Sequence, residues 1–147
     1  MPISNSFQNR FQELVAERGG NRTQIAADMN ITYVLFSKAY NYGILPRPIV
    51  LVRIADYFGV SMDLLLGKTE ENSFVPARER VTFAQRLEQL RQKKQVSVYR
   101  VAEQTHIHRN NIAGWLNKGY LPSLEDLETL ADYFGVSLDC LLGRTDA

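Results

Sequence analysis

The feature that most constrains this chain is that it repeats itself. The run Ile54-Ala-Asp-Tyr-Phe-Gly-Val-Ser-Met-Asp-Leu-Leu-Leu-Gly-Lys-Thr69 returns 76 residues later as Leu130-Ala-Asp-Tyr-Phe-Gly-Val-Ser-Leu-Asp-Cys-Leu-Leu-Gly-Arg-Thr145. At that offset residues 5–71 align with 81–147 without a gap. Of the 67 pairs 22 are identical, among them Phe7/Phe83, Arg10/Arg86, Leu14/Leu90, Ala26/Ala102, Gly43/Gly119 and Pro46/Pro122. The 147 residues therefore divide into two copies of one unit, each near the lower end of the size that folds alone. Two copies are too few for a solenoid, which needs at least three stacked units. The expected organisation is a first domain over 1–69, a linker over 70–81 and a second domain over 82–147.

Each copy reads as short helices separated by turns. In the second, Thr82-Phe-Ala-Gln85 has capping-box spacing and starts a helix whose inner face carries Phe83, Leu87 and Leu90. Ser97 caps a short second helix with Val101 and Ala102 facing inward. A tight turn follows over 104–107, and the spacing predicts a third helix over about 109–116. Gly119 and Pro122 stop it, and Ser123-Leu-Glu-Asp126 opens a fourth helix bearing Leu127, Leu130, Ala131 and Phe134. Gly135 ends that helix, and Ser137 caps a last short one with Asp139 in its positive first turn. The first copy runs parallel, with Asn21-Arg-Thr-Gln24 as a capping box and Pro48 in the first turn of its fourth helix. No stretch holds a period of two. The fold class is all-α, two tandem five-helix bundles joined by a short linker.

A lone cysteine cannot close an intramolecular disulfide, so a reducing, cytoplasmic setting is expected. Apolar runs such as Ile49–Val52 are far too short to cross a bilayer, so no membrane partner is expected. The first residues lack the basic flank and apolar stretch of a signal peptide.

Two short helices joined by a tight turn inside a small bundle form the helix-turn-helix pattern. The second copy carries Arg86-Leu-Glu-Gln-Leu-Arg91, Ser97-Val-Tyr-Arg-Val-Ala102, Asn111-Ile-Ala-Gly-Trp115, Gly119-Tyr-Leu-Pro-Ser123 and the run from Leu127 to Gly143. In these residues it resembles the lambda-repressor-like family of phage and bacterial regulators, the XRE or Cro/C1 type, and the first copy resembles it more loosely. The resemblance implies that helix three lies in the DNA major groove. It also implies that the start of helix two (Ser97, Tyr99 and Arg100, with Arg22 in the first copy) and the loop near Lys118 touch phosphates. Both copies depart from the family by one extra residue, about Tyr42 and Lys118, before the glycine that follows helix three. Val98 and Arg22 stand where the family usually has a backbone-contacting Gln.

On helix three of the second copy, Ile112, Trp115 and Leu116 share one face and should pack inward. That leaves Arg109, Asn110, Ala113, Gly114 and Asn117 outward. Arg pairs bidentately with guanine and Asn with adenine, and small residues permit close approach to base edges. In the first copy Phe36, Ala39 and Tyr40 face inward, and Tyr33, Val34, Ser37, Lys38 and Asn41 outward. Tyr33 and Val34 suit thymine methyls but are poor hydrogen-bond readers. As exposed apolar residues they point more readily to an interface. Thr32 and His108 occupy the same repeat position at the start of helix three, suited to capping it or to touching a phosphate.

Charge ranks the copies the same way. Residues 80–120 sum to +6 and residues 121–147 to −5, while residues 5–45 sum to only +1. The basic segment of the second copy holds its first three helices, and phosphates reward such a face. His106 and His108 have no further His, and Cys140 sits at a core position, so no metal site is expected. No phosphate-binding glycine loop, nucleophile with a base, or metalloprotease motif is present, so neither a catalytic residue nor a cofactor is expected.

These readings converge on a sequence-specific regulator, a repressor, that binds double-stranded DNA mainly through 109–117. The chain would act as a homodimer or as an intramolecular pseudo-dimer. Half-sites for such domains lie roughly 34 Å apart, and a twelve-residue linker reaches roughly 40 Å. The rival reading is a protein-interaction module, such as an antitoxin or anchoring subunit, with little DNA reading.

Overall fold

Helix starts in this protein are set by short polar side chains. Ser4, Asn21, Thr32, Ser61, Thr82, Ser97, Ser123 and Ser137 each accept a backbone N–H from the first turn that follows, satisfying a donor the helix itself leaves orphaned. A computed structural model describes residues 2–146; the outermost residues of the two expected domains, Met1 and Ala147, lie outside it. Among the described residues there are ten helices: α1 Asn5–Arg18, α2 Arg22–Asp28, α3 Tyr33–Tyr42, α4 Pro48–Phe58, α5 Met62–Leu65, α6 Phe83–Lys94, α7 Val98–Thr105, α8 Arg109–Lys118, α9 Leu124–Phe134 and α10 Leu138–Leu141. The protein is all-helical over these residues, apart from one isolated antiparallel bridge between Ile3 and Ile44.

The chain forms two compact units, Met1–Phe74 with α1–α5 and Val75–Ala147 with α6–α10. In unit 1 the core is aromatic. Phe7 and Phe11 stack at 5.6 Å, and Phe36 meets Phe11 edge-on at 5.1 Å. Leu51, Ile54 and Leu65 close it from α4 and α5. Unit 2 replaces most of the rings with aliphatics: Leu87, Ile112, Leu127, Leu130 and Leu141 are fully buried, and Phe83 meets Trp115 edge-on at 6.1 Å. Each such side chain contributes about 1.5–3 kcal/mol by leaving water.

The stretch 70–81 is held at both of its ends. Asn72 accepts from Ser61 N and donates to Gly59 O, whereas Ala77 N donates to Arg144 O. The boundary between the units falls inside this stretch, after Phe74. Phe74 is half-buried and Val75 is exposed.

Three sequence expectations need correcting. The Thr82/Gln85 capping box is reciprocal, but the Asn21/Gln24 one is not. Asn21 caps both Thr23 and Gln24, while the Gln24 amide turns to Asp28 at 2.8 Å, one helical turn on. The extra residues Tyr42 and Lys118 do not lengthen the loops. They are the last residues of α3 and α8, each followed directly by a left-handed glycine, Gly43 or Gly119. Leu90 and Leu116, expected inward, are only half-buried.

Close packing at the end of unit 2 is set by Gly143. Its φ is +74°, and a Cβ there would lie 2.0 Å from the Val81 carbonyl oxygen. Gly143→Ala is therefore expected to destabilise unit 2 by more than the about 1–2 kcal/mol that a left-handed φ alone costs. Denaturant unfolding of the purified variant measures it.

Candidate nucleic-acid interface

α7 and α8 are placed by their apolar faces. Val101 and Thr105 from α7, Ile107 from the turn, and Ile112 and Trp115 from α8 are buried. The turn closes with His106 in the left-handed region, as Asn30 does at the same repeat position. With one face so anchored, the other faces outward. Arg109, Asn110, Asn117 and Lys118 are exposed. Among the described residues the side chains of Arg109 and Asn110 make no hydrogen bond or ion pair, which leaves their donors and acceptors available to a ligand.

The other expected contacts are more engaged. Ser97 Oγ accepts from Arg100 N at 3.0 Å as the cap of α7. Arg100 lies 3.5 Å from Glu103 one turn on, which offsets part of its charge. Tyr99 is 63% exposed. Ala113 and Gly114, expected fully outward, are half-buried, and the Tyr120 ring lies 4.0 Å from where a Cβ on Gly114 would stand. His108 caps α8: its Nδ1 accepts from Asn110 N at 3.1 Å.

In unit 1, Thr32 Oγ1 accepts from Leu35 N to cap α3. Tyr33 stacks on Phe36 at 6.0 Å yet stays 48% exposed, and Val34 is 61% exposed. Ser37 accepts from the Asn41 amide, and Lys38 is exposed. Arg22 turns back onto its own unit, 4.0 Å over the Tyr40 ring and bonded to that hydroxyl at 2.9 Å. The loop after α3 is also occupied: Ser4 N donates to Gly43 O and Leu45 N to Pro2 O, each at 2.9 Å. No motif in the sequence marks this pairing.

The charge sum of +6 overstates the field around α8. Arg86 is buried, its guanidinium donating to Cys140 O and Sγ at 3.0 Å and to Thr145 O at 3.2 Å. Lys94 sits 5.0 Å over the Tyr133 ring, as Arg18 sits over Tyr57 in unit 1. Lys93 lines a depression with Gly135, Val136 and Ser137, beside the α9–α10 junction. Arg91 is bonded at 2.5 Å to Glu88, and that guanidinium holds the Glu88 carboxyl below its ordinary range. Arg100, Arg109 and Lys118 are the exposed cations that belong to α7 and α8.

No described helix is long and apolar enough to cross a membrane. Among the described residues no three His, Cys, Asp or Glu side chains group as metal ligands. No curated protein and no solved structure matches the chain. A family model described as a helix-turn-helix domain matches residues 84–146, which is unit 2 from the first turn of α6 onward, and the match does not extend to unit 1. Residues 84–146 thus match a helix-turn-helix domain.

Proposed function

We propose that the protein is a sequence-specific DNA-binding transcriptional regulator, a repressor, whose reader is α8 of unit 2. One observation carries the reading: Arg109 and Asn110 stand exposed and unengaged at the start of the second helix of the helix-turn-helix, whose opposite face is locked by Ile112 and Trp115. In the major groove Arg109 would pair with guanine O6 and N7, and Asn110 with adenine N6 and N7. Backbone N–H groups and Tyr99, Arg100 and Lys118 would position the domain on phosphates, which fixes register without reading sequence. No enzymatic step, metal or cofactor enters this reading.

Unit 1 is proposed as a second, degenerate copy of the same bundle. Its paired α3–α4 loop, its inward-turned Arg22 and its near-neutral charge make it the weaker reader. Its exposed Tyr33 and Val34 favour a second reading, in which α3 contacts protein, either another copy of this chain or a different partner. The chain then works as a homodimer, or as a pseudo-dimer if both units engage DNA.

Salt dependence tests the reading. With two phosphate-contacting cations, Arg100 and Lys118, and a third cation in Arg109 at the base edges, affinity for a duplex should fall about ten- to fortyfold across a fourfold rise in salt. Fluorescence anisotropy at several salt concentrations measures the slope. A flat response, or no binding at low salt, would favour the interaction module.

A further inference from the structure

The cap of α8 differs in kind from the others. Eight helices begin on a hydroxyl or amide acceptor, and α4 begins on Pro48 without a side-chain cap. α8 begins on an imidazole, where the same repeat position in unit 1 holds Thr32. Hydroxyls and amides accept at any physiological pH. An imidazole accepts only while neutral, because protonation turns both ring nitrogens into donors.

We propose that His108 is a positioning residue for the reading helix, and that its neutral form is what holds the Arg109–Asn110 end in place. This inference rests on the DNA reading given above. With Nδ1 protonated, a donor faces the Asn110 N–H, and a positive charge sits at the positive end of α8. The ring leaves the cap and the first turn loosens, by the about two- to thirtyfold shift that losing a cap produces. That turn carries the two base readers, so sequence discrimination weakens in acid. Phosphate attraction does not weaken, since the ring has gained a charge. Histidine is the side chain whose ordinary charge change falls between about pH 5 and 8.

Groups of both charge signs surround His108. His106, Tyr99, Glu103 and Arg109 share its shallow depression. Glu103, the carboxylate of that depression, is paired with Arg100 at 3.5 Å. α6 meets the other end of α8, where Glu88 lines a depression with Leu116 and Asn117.

The chain has only two histidines, which makes the test clean. His106→Asn leaves His108 alone and keeps a residue that tolerates a left-handed φ, as Asn30 does. His108→Thr installs the cap of unit 1. Amide exchange at Asn110, relative to its unstructured rate, is read in the DNA-free protein at about pH 5.5 and about pH 8. The ratio of specific to non-specific duplex affinity is read at the same two values. In the wild type and His106→Asn, protection and discrimination should both fall about two- to thirtyfold in acid. In His108→Thr both should hold steady. Protection that ignores pH in the wild type, or a fall that persists in His108→Thr, overturns the proposal. Protection that follows His108 without sequence-specific binding at either pH overturns the DNA reading, and with it the reading role of His108, but leaves the cap intact.

Discussion

Arg109→Ala and Asn110→Ala should each weaken binding to the preferred duplex by about 1–3 kcal/mol, the contribution of a bidentate base contact. That corresponds to roughly five- to 150-fold in affinity. Both side chains are exposed and unengaged within the protein, so the melting temperature should barely move, as for other surface substitutions. The two variants should also differ from each other. Asn110→Ala removes no charge, so its non-specific binding and salt slope should match the wild type. Arg109→Ala removes a cation and should flatten the slope as well. Anisotropy titrations against the preferred and a scrambled duplex, at two salt concentrations, separate these effects. Equal loss on both duplexes would mean that the residues hold phosphates and read nothing.

Trp115→Ala should have the largest effect on stability. Trp115 is 6% exposed and meets Phe83 edge-on at 6.1 Å, so it ties α8 to α6. Truncating a buried aromatic costs about 3–5 kcal/mol through lost transfer and a residual cavity. For a unit of this size each kcal/mol lowers the melting temperature by about 4–8 °C, and a stability of this order leaves little in reserve. Unit 1 has its own aromatic core, so thermal unfolding followed by circular dichroism should split into two steps. The step that moves belongs to unit 2, and DNA binding is lost with it. A single unshifted transition would mean that the tryptophan is not a core residue.

Much of the fold is legible in the sequence because its signals are local. A Ser or Thr before an apolar period caps a helix wherever the chain later packs, and Thr82, Ser97, Ser123 and Ser137 all do so. The repeat exposes the same logic twice. What local reading misses is the side chain whose partner is distant. A charge count treats Arg86 as surface, yet three acceptors from the far end of unit 2 hold it inside. Asp139 suits a helix N-terminus, but its structural role also includes a buried ion pair with Arg144. A signal for Arg86 did exist. Arg10 and Arg86 are the one polar identity between the first helices, whose other shared residues, Phe7/Phe83 and Leu14/Leu90, are apolar, and both donate to the matching threonine carbonyl, Thr69 or Thr145, at 3.2 Å. A surface arginine has no reason to persist in that way.

The candidate site divides along the same line. That α8 presents Arg109 and Asn110 follows from the spacing of Ile112 and Trp115. The turning of Arg22 onto Tyr40 and the occupation of the Gly43 carbonyl by Ser4 depend on contacts between separate segments. Those contacts distinguish unit 1 from unit 2 more sharply than composition does.

The most direct measurement is a selection from a random duplex pool at moderate salt, run with the wild type and with the Arg109→Ala, Asn110→Ala double variant. The expected result is an enriched half-site whose base preference disappears in the variant, while any second half-site that survives reports α3 of unit 1. Recovery of no sequence by the wild type, or of one indifferent to the substitutions, would contradict α8 as the reader.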